Sequence, residues 1–84
     1  MLKILFVDDD AVARRNMAQR IDWNDLGWDL VYTARDGVDA LEYMKENRPD
    51  IIISDIKMPI MDGIEMAKIA RDYYPDLFFI LSFR

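Results

Sequence analysis

The chain has 84 residues, 52% hydrophobic and 32% charged, with a net charge of −5. That make-up describes one small globular domain rather than a disordered segment, and the lack of any basic run argues against nucleic-acid binding by this segment itself. With no cysteine and no histidine, disulfides and thiolate or imidazole metal sites are excluded, the commonest nucleophiles and bases are missing, and any metal must be held by oxygen.

Leu2 to Val7 is apolar and too short to span a membrane. Asp8-Asp9-Asp10 stops it and no small-residue cleavage site comes after, so the expectation is a first buried strand in a cytoplasmic protein without a membrane partner. Asp9 or Asp10 is placed to cap a helix from Ala11 to Ile21, with Ala13, Met17 and Ile21 inward, Val12 beside them, and Arg14, Arg15 and Arg20 facing water. Asp22 to Gly27 connects to a second strand, Trp28 to Ala34, whose alternation suits an edge; Gly27 can supply a left-handed turn. Asp36-Gly37 turns into a helix over Val38 to Asn47, with Val38, Leu41 and Met44 inward.

Pro49 bars a helix from entering Ile51-Ile52-Ile53-Ser54, a β-branched run suited to a strand buried on both faces, and Pro59 closes the stretch. This strand delivers a single carboxylate, Asp55, to its tip. Asp62 caps a third helix through Tyr73, with Met66, Ile69, Ala70 and Tyr73 on one face. Pro75-Asp76 breaks it, and Leu77 to Ser82 reads as a fourth buried strand. Trp23 and Trp28 read as packing residues, Met58 and Met61 as shapers of the loop, and the Lys57 side chain as exposed.

Strict alternation of strand and helix predicts an α/β fold: a doubly wound parallel sheet with helices on both faces. In such sheets, sites lie beyond the carboxyl ends of the strands, where the strand order reverses. Strands one and three both end there in acids, so as neighbours they would bring Asp8, Asp9 and Asp55 into one crevice. Two like charges about 4 Å apart repel by roughly 4 kcal/mol at an effective dielectric near 20. Such a cluster calls for a protonated acid or a cation, and oxygen-only ligands point to Mg²⁺ or a similar ion. A divalent ion beside a carboxylate suggests phosphoryl chemistry, the carboxylate acting as nucleophile to give an aspartyl-phosphate.

Val7-Asp8-Asp9, the run Asp55-Ile56-Lys57-Met58-Pro59-Ile60-Met61-Asp62-Gly63, and Leu81-Ser82 together resemble a response-regulator receiver domain of two-component systems. Ile21-Asp22-Trp23, Leu26-Gly27 and Asp36-Gly37 with Ala40-Leu41 further resemble receivers of the AraC/YesN type. The resemblance implies a three-layer flavodoxin-like fold with strand order 2-1-3-4, here one partial receiver domain over 1–84 that ends after strand four. It implies Asp55 as phosphoacceptor, Asp9 as direct Mg²⁺ ligand with Asp8 as its partner, the backbone carbonyl of Lys57 completing the metal site, and Ser82 as the hydroxyl that meets the phosphoryl group. Asp62 and Gly63 would cap the following helix. The donor would be a sensor histidine kinase, and DNA would be reached only through an output domain absent from this chain. The domain would be regulatory rather than an enzyme, at most phosphorylating and dephosphorylating itself.

Relative to that family, the chain lacks the fourth helix, the fifth strand with its lysine, and the fifth helix, and Phe83 stands where a small residue is usual. An apolar fourth strand would then be an unpaired edge beside an uncovered sheet face, and the expectation is self-association through one of them. Two other readings stay open. The chain could be a switch-dead fragment that only oligomerises. Asp8-x-Asp10-x-Val12 also matches the nucleophile motif of haloacid-dehalogenase-type phosphatases, with Asp8 as nucleophile and Asp10 as acid and base.

Overall fold

A computed structural model describes residues 1–82; the expected departure at Phe83 lies outside them. Its four strands, β1 (Leu2–Val7), β2 (Trp28–Ala34), β3 (Ile51–Asp55) and β4 (Phe78–Ser82), form one sheet in the order β2-β1-β3-β4. Every pairing is parallel. Three helices supply the crossovers: α1 (Ala11–Arg20), α2 (Gly37–Met44) and α3 (Gly63–Tyr73). The order steps outward from β1 to β2 and then resumes at β3 on the other side of β1. The reversal expected of a doubly wound sheet therefore falls between β1 and β3, whose tips carry the acids.

The alternating directions of strand side chains split the core in two. Leu5, Val7 and Ile52 point to one face and meet Met44 of α2 with Met66 and Ala70 of α3. Ile4 and Ile51 point to the other and meet Trp23, with Met17 of α1 packed against them. Trp23 and Trp28 stack at 6.2 Å, and Trp23 Nε1 donates to the Met17 carbonyl at 3.0 Å. That bond ties the connector to α1. Tyr74 Oη donates to the Met44 carbonyl at 2.7 Å and joins the ends of α2 and α3.

Several expectations are corrected by the packing. Helix α1 ends at Arg20; Ile21 is already extended, none of the helix's residues is fully buried, and Val12, expected on the apolar face, is exposed. Helix α2 stops at Met44 rather than Asn47, and its buried stripe is Gly37, Ala40, Leu41 and Met44. Val38 lies one position round from that stripe and is 56% exposed. In α3 the stripe is Gly63, Met66 and Ala70, which leaves Ile69 and Tyr73 partly exposed rather than buried. A short 3-10 turn, Asn24–Leu26, precedes Gly27, which takes the left-handed conformation expected of it at φ 75°. The largest correction concerns β4. It lies last in the sheet, and all of its residues but Phe79 are exposed. Leu77 is buried, but just before the strand rather than within it.

Candidate phosphoacceptor and metal site

The sheet register builds the site. Phe6 lies beside Ile53 and Val7 beside Ser54. One step further along the same two strands, Asp8 follows Val7 and Asp55 follows Ser54. One carboxylate oxygen each from Asp8, Asp9 and Asp55 lies within 4.8 Å of the others. Asp8 and Asp55 are buried, whereas Asp9 is exposed. The crevice that the sequence required of neighbouring strands is present.

Asp8 is held from three sides. Its N–H donates to the Ala34 carbonyl at 3.0 Å, extending the β1–β2 ladder past its last pair. Its Oδ1 accepts from the Asp10 N–H at 2.9 Å, and its carbonyl accepts from Arg14 Nη1 at 2.7 Å. Asp10, not Asp9, caps α1 by accepting from the Val12 N–H. Arg14, expected to face water, instead reaches back to the strand tip. No periodicity could show a contact that depends on where α1 crosses the sheet.

On the other side, the register places Ser82 beside Asp55, and the Ile56 N–H donates to the Ser82 carbonyl at 2.9 Å. Ser54 is fully buried, and its hydroxyl donates to the Asp55 carbonyl at 2.9 Å. Lys57 lies in the next loop with its side chain exposed, as expected. Asp62 caps α3 as expected, accepting from the Glu65 N–H at 2.8 Å while its own N–H donates to Glu65 Oε1. Gly63 N–H donates to the Ile56 carbonyl at 2.8 Å. The start of α3 is thereby clamped onto the end of β3. An apolar trough of about 360 Å³ runs from Asp8, Asp55 and Ser82 down the α1 side of the sheet, over Met17 and Ile53.

The donor set fits a hard divalent cation: it is all carboxylate oxygen, in a chain without thiolate or imidazole ligands. Around Mg²⁺, ligand oxygens at about 2.1 Å stand roughly 3 Å apart when adjacent and about 4.2 Å apart when opposite. Oxygens that lie within 4.8 Å of one another are close enough to share one such ion, directly or through water, which suits an ion that dehydrates reluctantly. No helix among the described residues is long and apolar enough to cross a membrane.

A parallel sheet with this strand order and three acids at its switch point defines a receiver. The model of the response regulator receiver domain family matches residues 4–82, and the chain belongs to that family. The transcriptional regulatory protein HptR of Staphylococcus aureus is 36% identical over 66 residues, covering 79% of this chain and 26% of that protein. A crystal structure of an AraC two-component transcriptional regulator from Clostridium phytofermentans superposes with a TM-score of 0.91 at 34% identity, covering 99% of this chain and 64% of that one. The receiver domain of AraT, a response regulator from Geobacillus stearothermophilus, gives 0.86 at 37% identity, covering 98% and 64%. The chain thus spans about a quarter of the HptR sequence it matches. Its structural neighbours include regulators of the AraC type, as the connector and second-helix motifs anticipated.

Proposed function

We propose that Asp55 is the phosphoacceptor, taking a phosphoryl group from a phosphohistidine on a sensor histidine kinase. One observation carries this reading: Asp8, Asp9 and Asp55 each bring an oxygen within 4.8 Å of the others at the switch point. An Asp55 carboxylate oxygen attacks phosphorus, the phosphorus–nitrogen bond breaks, the imidazole leaves, and an acyl phosphate forms on Asp55. Asp8, Asp9, Asp55 and the backbone carbonyl of Lys57 would hold Mg²⁺. The ion, when bound, neutralises phosphoryl oxygens that the carboxylates would otherwise repel. Ser82, beside Asp55 in register, would donate its hydroxyl to the phosphoryl group, while Asp62 and Gly63 hold the loop on α3.

We read residues 1–84 as one receiver unit of a cytoplasmic transcriptional regulator, regulatory rather than enzymatic, that binds DNA through an output domain outside this chain. We further propose that the 84-residue chain associates with itself through β4, a reading supported by the exposure of Phe78, Ile80 and Leu81.

Labelling with acetyl phosphate and Mg²⁺, followed by intact mass, tests the site. One phosphoryl group should add to the wild-type chain and none to Asp55→Asn. Labelling that survives Asp55→Asn but vanishes in Asp8→Asn would install Asp8 as the nucleophile instead. No labelling of wild type would leave an idle, oligomerising fragment.

A further inference from the structure

The two ends of the sheet are unlike. Strand β2 forms one end and is blunted. Asp29 sits within it, and its pairing with β1 slips between Ile4 and Leu5, which leaves Val31 as a bulge. A charge and a bulge both discourage pairing with another chain. Strand β4 forms the other end with neither device. Its residues Phe78-Phe79-Ile80-Leu81-Ser82 carry no charge, and its register with β3 runs without a slip.

Two hydrogen bonds fix which way the backbone of β4 faces. The Phe78 N–H donates to the Asp50 carbonyl at 3.3 Å, and the Ser82 carbonyl accepts from the Ile56 N–H at 2.9 Å. Backbone groups of a strand in a ladder alternate sides residue by residue. Those of Phe78, Ile80 and Ser82 therefore face β3, and those of Phe79 and Leu81 face outward, where the sheet ends. The side chains alternate between the two faces of the sheet. Phe79 packs against the core under α2 and α3, with Leu81 on the same face, while Phe78, Ile80 and Ser82 stand on the α1 side.

We propose that two copies pair antiparallel along β4, about a two-fold axis at Ile80, and join their sheets into one. The proposal rests on the reading that the chain associates through β4, and it names the register. Phe79 faces the partner's Leu81 and Leu81 faces the partner's Phe79, so each outward N–H meets an outward carbonyl. Ile80 meets the partner's Ile80 at the axis. An axis at Phe79 is poorer. It would set Leu81 against the partner's Leu77, but the Leu77 N–H already donates to the Tyr74 carbonyl at 3.2 Å, so an outward carbonyl would go to waste. It would also draw Arg71, which lies over the Phe79 ring, toward the partner's Arg71. Identical edges paired about a two-fold close as a dimer instead of growing into a fibre. The same register sets Ser82 opposite the partner's Phe78. Ser82 lines the trough that starts at Asp8 and Asp55. Phe78, 62% exposed in the single chain, finds cover there, and each copy closes the outer side of the other's trough beside Asp55.

The chain has no cysteine, so single introduced cysteines report the register. Opposed residues of an antiparallel pair have Cα atoms about 4.5–5.5 Å apart, within disulfide reach, whereas diagonal neighbours at about 7–8 Å lie beyond it. The variants are treated with oxidised glutathione, and covalent dimer is read on a non-reducing gel, while sedimentation of the wild-type chain at the same concentrations measures association by itself. Ile80→Cys should cross-link to its own copy about tenfold faster than Phe79→Cys, whose two copies lie on a diagonal. Phe78→Cys and Ser82→Cys should cross-link when mixed and not when each is alone. The mixed pair keeps the test alive should Ile80→Cys fail to fold. If the wild-type chain associates but Phe79→Cys links as fast as Ile80→Cys, or the mixed pair does not link, the register is overturned while self-association stands. If the wild-type chain associates and no variant links, association uses another surface, and the pairing of edges is overturned. A wild-type chain that stays monomeric removes the self-association reading and this proposal together.

Discussion

Gly63 lies against the backbone carbonyl of Asp55: a Cβ built on it would stand 2.5 Å from that oxygen. The helix after β3 starts in contact with Asp55 itself. Only glycine permits that approach, since the obstacle is backbone and cannot swing aside. Gly63→Ala should push α3 off the end of β3, costing about 1–3 kcal/mol in urea denaturation. It should also slow labelling by acetyl phosphate more than the lost stability explains, because the Asp55 carbonyl and Ile56 must shift to make room. Unchanged labelling with reduced stability would separate the clamp from the chemistry.

Mg²⁺ should stabilise the folded chain by mass action. An ion bound by three carboxylates that only the fold brings together favours the native state by about 2.7 kcal/mol at a hundred times its dissociation constant. For a domain of this size that is a rise in Tm of roughly 10 °C or more. EDTA should return the Tm to its starting value. Asp9→Asn should remove most of the rise while changing the metal-free Tm little, because Asp9 is the exposed member of the set. A Tm independent of Mg²⁺ would count against the metal site.

The acids and the strands that carry them were legible because their signals are local. Ile51-Ile52-Ile53 before Asp55, and Leu2 to Val7 before Asp8-Asp9, each announce a buried strand ending in a carboxylate. Asp62-Gly63 announces the start of a helix. Other features depend on where elements cross in space, which residue spacing does not encode. Arg14 reaches Asp8 only because α1 leans over the tip of β1. Val38, Ile69 and Tyr73 sit at helical spacings compatible with burial, yet each falls to one side of the line of contact. The positive φ of Ile60 was hidden by its identity, since isoleucine is the residue least expected there. The exposure of β4 stems from its place at the end of the sheet order, although its apolar run matches that of a central strand.

At alkaline pH a tyrosine pair should control stability. Tyr32 Oη donates to Asp39 Oδ1 at 2.8 Å, and its ring stacks on Tyr43 at 4.4 Å. The hydrogen bond to Asp39, with burial second, raises the Tyr32 pKa above 10.0. Burial, with the Asp29 charge second, raises that of Tyr43 above 10.0. The fold therefore favours both neutral phenols. Their stabilisation is complete below pH 10 and is lost as pH climbs through the raised folded values. Absorbance titration should show Tyr32 and Tyr43 ionising later than free tyrosine, with stability falling over the same range. Tyr32→Phe should remove the Tyr32 share of both effects.

Strand β4 forms one end of the sheet, and its side chains divide by alternation. Phe79 packs toward α3, where Arg71 lies over its ring at 5.0 Å. Phe78 and Ile80 point to the α1 side, 62% and 39% exposed. That side is covered by one helix, and the trough beside it is lined by Met17 and Ile53. An uncharged strand at the end of a sheet, with an apolar face next to it, is a pairing template, and natural edges are blunted by an inward-pointing charge. None of the residues of β4 is charged. The 84-residue chain should therefore self-associate with rising concentration, observable by light scattering or sedimentation. Ile80→Lys places a charge at the centre of both the edge and the face and should weaken association by about tenfold or more. Arg35→Glu, a change on an exposed side chain just after β2 at the opposite end of the sheet, should leave association as it was. A wild-type chain that stays monomeric across the concentration range would show that β4 needs no covering partner.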